Sequence, residues 1–72
     1  MIIYMNVIKS IELVGSSPES FDDAVKHAIL EAKKTLRNIR RVEVMDFEVL
    51  VENDEISLYQ ARIKLFFMVE RT

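Results

Sequence analysis

The chain reads as an α+β fold of order β-α-β-β, in which a three-stranded antiparallel sheet wraps one long helix. Three observations in its 72 residues predict this. Apolar and β-branched residues fill positions 7–14, 42–52 and 56–70 in the manner of strands. One long amphipathic stretch separates the first of these from the other two. The only glycine, Gly15, and the only proline, Pro18, both stand at the junction between the first strand and that stretch.

In the first strand, at 7–14, Ile11 and Leu13 point inward and Ser10 and Glu12 outward. Gly15 stops it. Ser17 then reads as a helix N-cap, with Pro18 at the first helical position, where its missing N–H costs nothing. Glu19, Asp22 and Asp23 lie near the helix start, and Lys33, Lys34, Arg37 and Arg40 near its end, so both groups complement the helix dipole. Phe21, Ala24, Val25, Ala28, Ile29, Ala32 and Leu36 form an unbroken stripe at helical spacing, and its three alanines let the backbone lie close to a sheet. A helix over 18–39 would be roughly 30 Å long at ~1.5 Å per residue. The strands at 42–52 and 56–70 would each reach about 33 Å or more at ~3.3 Å per residue, so the layers match in length.

Asn53-Asp54 reads as a two-residue hairpin turn. It sets Glu52 opposite Glu55, Phe47 opposite Gln60, Met45 opposite Arg62, and Glu43 opposite Lys64 as a favourable charge pair. One face of the hairpin then suits the helix, with Val42, Val44, Tyr59, Ala61, Ile63 and Leu65. The other carries Arg41, Glu43, Met45, Phe47, Gln60, Arg62 and Phe66, and nothing in the chain is left to cover it. In this register Asp46 and Glu48 turn toward the helix, which makes a bulge near them plausible, with a shift of register and a swap of faces.

Composition narrows the rest. A chain of 72 residues forms one domain, 1–72, with a modest core. Ordering costs ~1.5 kcal/mol per residue, apolar burial at ~25 cal/mol/Å² roughly cancels it, and so a chain of this size needs a staple. With Cys 0 and His 1 there is no disulfide framework, no thiolate metal site and no histidine cluster. Association between copies is the staple that remains, and a hydrophobic fraction of 50% agrees with it. The uncovered face is the surface for it. A net charge of -2 gives no footprint for nucleic acid, and no apolar run reaches the ~18 residues of a membrane span. Met1-Ile2-Ile3-Tyr4-Met5 has neither a basic lead nor a cleavage signal, so a cytoplasmic protein is expected.

The stretch from Ile11 through Gly15-Ser16-Ser17-Pro18 to Phe21 resembles the dodecin signature, as do 32–39, Val42-Glu43-Val44 and Tyr59-Gln60. The resemblance runs from about Val7 to Glu70 with the motifs in order. It implies twelve copies forming a hollow sphere, with riboflavin or FMN held as stacked pairs at subunit contacts for storage or quenching. It also implies the roles of individual residues. Gln60 falls where the family glutamine hydrogen-bonds the flavin ring, and Asp46 where some members use an acid on the ribityl chain. Arg41 stands where the flavin-stacking tryptophan belongs, and Trp is 0. Members without that tryptophan include ones described as not binding flavin, and one described as binding calcium.

The expected ligand-binding residues are therefore Gln60, Arg41, Asp46 and Phe47, the last as the substitute ring platform beside Gln60. Arg41 and Gln60 lie about 20 Å apart at ~3.3 Å per residue, so one pocket takes them from different copies. The expected function is ligand binding and sequestration by a homododecamer, with flavin as the cofactor. The alternative is a flavin-free assembly that carries calcium or a nucleotide-like or coenzyme A-like molecule, or serves as a structural shell. An enzyme is disfavoured, because no acid–base or nucleophile constellation is present. Ser16, Ser17 and Ser20 have no base near them in sequence, His27 reads as a solvated helix residue, and Glu52, Asp54 and Glu55 lack the spacing of a calcium loop.

Overall fold

The structure is a computed structural model that describes the chain from Met5 to Arg71, with side chains from Val7 to Val69. Met1 to Tyr4, read above for a targeting signal, lie outside the described residues. The elements are β1 (Met5–Ser17), α1 (Phe21–Lys33), β2 (Ile39–Glu52) and β3 (Glu55–Arg71). They form one antiparallel sheet in the order β1-β3-β2, with the helix on one side. The expected fold class and element order hold. No helix among the described residues is long and apolar enough to cross a membrane.

β1 does not stop at Gly15. It runs on to Ser17, opposite Tyr59 of β3. Gly15 serves close approach instead: a Cβ there would overlap the Ala24 carbonyl oxygen and lie 3.0 Å from the Ala28 Cβ. Ala24, Ala28 and Ala32 are the buried residues of α1, so the small-residue stripe works as the spacing suggests. The helix meets Ala61 and Ile63 of β3, both fully buried, with Leu13, Val25, Ile29 and Val42 packed around the cluster, and Leu65 is fully buried as well.

The helix is shorter than expected, 13 residues or about 20 Å at ~1.5 Å per residue. Its N-cap is Ser20, whose Oγ accepts the Asp23 N–H at 3.0 Å, and the first helical bond runs from Ala24 N–H to Ser20 C=O. Ser17 is the buried last residue of β1. Its Oγ accepts the Glu19 N–H at 2.9 Å and donates to Asp23 at 2.7 Å, which ties strand, connection and helix together. Pro18 therefore lies in the connection. At the other end the Lys34 and Thr35 N–H groups bond the carbonyls three residues back. Asn38 at φ 60 then turns the chain into β2, a conformation that Asn tolerates better than most residues.

The hairpin turn is as expected, with Asn53 and Asp54 both in the left-handed region and Glu52 opposite Glu55. The register beyond it shifts three times, at Ser57, at Met45 and at Arg40, and the first two bear on the site. Ser57 on β3 has no partner, so Leu50 faces Leu58, Glu48 faces Gln60, Phe47 faces Ala61 and Asp46 faces Arg62. Met45 on β2 then has none, and pairing returns to Val44 with Ile63 and Glu43 with Lys64. Two bulges thus correct the expected pairs of Phe47 with Gln60 and Met45 with Arg62, while the pair of Glu43 with Lys64 stands. The physical reason is polarity: the bulges turn Asp46 and Glu48 away from the helix and bring Phe47 to it. The Phe47 ring lies 4.6 Å from that of Phe21, which in turn meets Tyr59 edge-on at 5.0 Å.

Candidate ligand-binding site

Residues opposite one another across antiparallel strands share a face. On the face away from α1 two adjacent rows result, Ser16–Gln60–Glu48 and Val14–Arg62–Asp46. The central strand supplies Gln60 and Arg62, and the edges supply the carboxylates and the apolar Val14. These five residues, Val14, Asp46, Glu48, Gln60 and Arg62, line a cavity of about 80 Å³. That volume takes a few waters or the edge of a ring. Sites for whole small molecules run to roughly 300–1,000 Å³. A second surface is needed to complete it.

The chemistry of this cavity is that of a polar rim around one apolar side chain. Arg62 Nε stands 3.9 Å from Asp46 Oδ1 with both side chains about half exposed, a geometry that contributes little stability. Two carboxylates against one guanidinium leave a local formal charge of −1. Gln60 offers an amide N–H donor and a carbonyl acceptor, the Arg62 fork donates, and Asp46 and Glu48 accept. The set suits a neutral ligand that carries both hydroxyl groups and a polar ring edge. It disfavours a phosphate.

Arg41 lies elsewhere on the same face, opposite Phe66, six residues along β3 from Gln60 or about 20 Å at ~3.3 Å per residue. Its guanidinium carbon sits 3.8 Å above the Phe66 ring centroid, and Nη1 is 3.6 Å from Glu43 Oε2. The stacked cation presents a flat outer surface. Within one protomer, then, Gln60 and Asp46 come together, Arg41 stands apart, and Phe47 faces the helix side. Glu48 is the site residue that sequence reading missed, and the plain register had set both it and Asp46 on the helix side. The signal for it was the pair of acids two apart, Asp46 and Glu48, which a regular strand would have turned toward an apolar helix.

His27 is not merely solvated. Its Nδ1 lies 2.9 Å from the Ser16 carbonyl oxygen and its Nε2 3.2 Å from Asp23 Oδ2. This ties the helix to the end of β1. No group of three or more His, Cys, Asp or Glu side chains is placed to hold a metal ion among the described residues.

Comparison with known proteins agrees with this architecture. The dodecin family model matches residues 7–70. The chain belongs to the dodecin family. The dodecin of Thermus thermophilus is 33% identical over 66 residues, covering 92% of this chain and 96% of that protein. The solved dodecin of Streptomyces coelicolor superposes with a TM-score of 0.89 at 31% identity, covering 93% of this chain and 96% of the other. The calcium dodecin of Mycobacterium tuberculosis, described as having a novel calcium-binding site, superposes with a TM-score of 0.78 at 27% identity over 85% of this chain and 87% of its own. Dodecin relatives thus include one named for a ligand other than flavin.

Proposed function

We propose that this dodecin-family chain is a self-assembling, sequestering protein. In this reading its copies build a homododecamer and hold a neutral, hydroxyl-bearing flat molecule of the flavin type at their contacts, with riboflavin preferred over FMN. The observation that carries the reading is the set of donors and acceptors around Gln60 on an otherwise uncovered sheet face. Gln60 would bond the polar edge of the ring, and Asp46 and Glu48 would accept from the hydroxyl chain. The guanidinium of Arg41 from another copy would supply the flat surface. Phe66, the one ring on this face among the described residues, is already covered by Arg41. Stacking is therefore weaker than a tryptophan would give, and hydrogen bonding carries more of the affinity.

Assembly is supported by the apolar surface left bare, including Ile8, Val14 and Leu50 at 54%, 58% and 40% exposure. A sequestering role needs only binding, and no catalytic step is part of the proposal. Titration of riboflavin and FMN fluorescence with purified protein tests it. Quenching by micromolar protein, stronger for riboflavin, is the expected result, and unchanged emission with both sinks the flavin reading. The second reading is a flavin-free assembly with a divalent cation at Asp46 and Glu48. The calcium dodecin relative favours it. Calcium takes six to eight oxygens, so this too needs ligands from a second copy. Calorimetry with calcium separates the two.

A further inference from the structure

The β2–β3 hairpin runs past the last pairing of β1, Ser17 with Tyr59, so residues 50–58 form a two-stranded arm. Val51 and Ile56 on it are 61% and 55% exposed. A two-stranded ribbon with apolar side chains in water is marginal by itself and gains from a partner surface. The arm's only charged residues are Glu52, Asp54 and Glu55, a formal −3.

A groove of about 430 Å³ lies beyond the other end of the helix, lined by Ile29, Lys33, Leu36, Asn38 and Ile39. Positions 33–41 around it carry Lys33, Lys34, Arg37, Arg40 and Arg41 and no acid, a formal +5. Lys34 is paired with Glu31 at 2.9 Å and Arg41 with Glu43 at 3.6 Å. Lys33, Arg37 and Arg40 have no carboxylate partner among the described residues. Arm and groove are both apolar at the centre and opposite in charge at the rim.

They cannot meet within one protomer. The arm tip is at Glu55, while Ile39 pairs with Phe67, twelve residues or about 40 Å farther along β3 at ~3.3 Å per residue. We propose that the arm of one copy seats in the groove of the next. Leu50, Val51 and Ile56 would pack on Ile29, Leu36 and Ile39, while Glu52, Asp54 and Glu55 meet Lys33, Arg37 and Arg40. This head-to-tail contact closes into a ring when its rotation allows. The apolar centre supplies affinity, and the charges set partner and orientation. The inference rests on the assembly half of the proposed function.

The test is charge reversal with particle mass as the readout, at low salt, where such pairs are least screened. One variant carries Glu52→Lys, Asp54→Lys and Glu55→Lys. A second carries Lys33→Glu, Arg37→Glu and Arg40→Glu, and a third carries all six. Each triple variant is expected to lose the full-size particle while keeping its circular dichroism, and the sixfold variant to regain it. Full-size particles from both triple variants overturn the arm-and-groove contact and leave assembly standing, whereas monomeric wild-type protein overturns the assembly reading itself. Loss in both triples with no recovery in the sixfold variant also overturns the contact. A groove that takes an amphiphilic anion instead would show as decanoate binding that the groove variant abolishes with no change in mass.

Discussion

Gly15 of β1 packs directly against the Ala24 carbonyl of α1, with no room between them for even one methyl group. The obstacle is backbone on one side and the Cβ of buried Ala28 on the other, so nothing swings aside. Gly15→Ala should lower stability by about 3 kcal/mol, at the upper end of the usual overpacking range. Denaturant midpoints of wild type and variant measure it. An unchanged midpoint would mean that helix and strand are not held at this distance.

The two serines at the helix start make a paired prediction. Ser20→Ala removes the N-cap and should cost about 1 kcal/mol. Ser17→Ala removes a buried hydroxyl bonded to Asp23 and to the Glu19 N–H, and should cost about 1–3 kcal/mol. Were Ser17 an ordinary exposed cap, the larger loss would fall at Ser20 instead, and thermal unfolding of both variants decides between these.

Phe47 is 51% exposed, yet it sits against Phe21 on the helix side of the sheet. Phe47→Ala should therefore cost about 1–2 kcal/mol of stability, from lost apolar contact and an aromatic pair. Ligand affinity measured well below the melting point should stay within about twofold, or ~0.4 kcal/mol at 1.4 kcal/mol per tenfold. Abolished ligand binding in a protein of unchanged stability would return Phe47 to the ligand side.

Asp46 and Glu48 control ligand charge in the proposed site. Replacing them together by Asn and Gln keeps shape and removes the local negative field. The riboflavin-over-FMN preference should shrink by about tenfold, roughly 1.4 kcal/mol. Parallel fluorescence titrations give the ratio. A ratio that does not move would place the ligand's hydroxyl chain elsewhere.

Arg41→Trp restores a stacking ring where family resemblance expects one. Riboflavin affinity should rise by about tenfold or more, since an aromatic pair contributes about 0.5–1.5 kcal/mol beyond its buried area. Quenching titration reads the gain directly. No gain in a correctly assembled variant would remove Arg41 from the pocket.

Element order, the Asn53-Asp54 turn and the alanine stripe were all legible in the sequence, because periodicity and turn chemistry are local properties. Element ends were less so. Ser17 and Ser20 are chemically equal as caps, and only tertiary position decides that Ser17 closes a strand while Ser20 opens the helix. Leu36 continues the helical period but follows Thr35, beyond the last helical turn. The site was half legible. Gln60 and Asp46, each singled out by family resemblance, line one cavity, although the plain register had set Asp46 on the helix side. Glu48 in place of Phe47 was hidden, because one unpaired residue reverses every side chain after it and leaves composition unchanged.

Met45 and Ser57 cancel one another. From Arg41 to Val44 on β2, and beyond Ser57 toward the turn, the pairing is what an unbulged hairpin would have. The five residues between, 46–50, therefore form a panel offset by one step from the pairing on either side. Sliding it by one step would leave both ends of the ladder where they are, yet would trade an acidic lining for Phe47 and Val49. What keeps it in its present setting is the cost of pressing two carboxylates onto the helix side. Substitutions at Asp46 and Glu48 with apolar residues would lift that cost, so the same two positions that line the proposed site would also act as the latch on the panel's orientation.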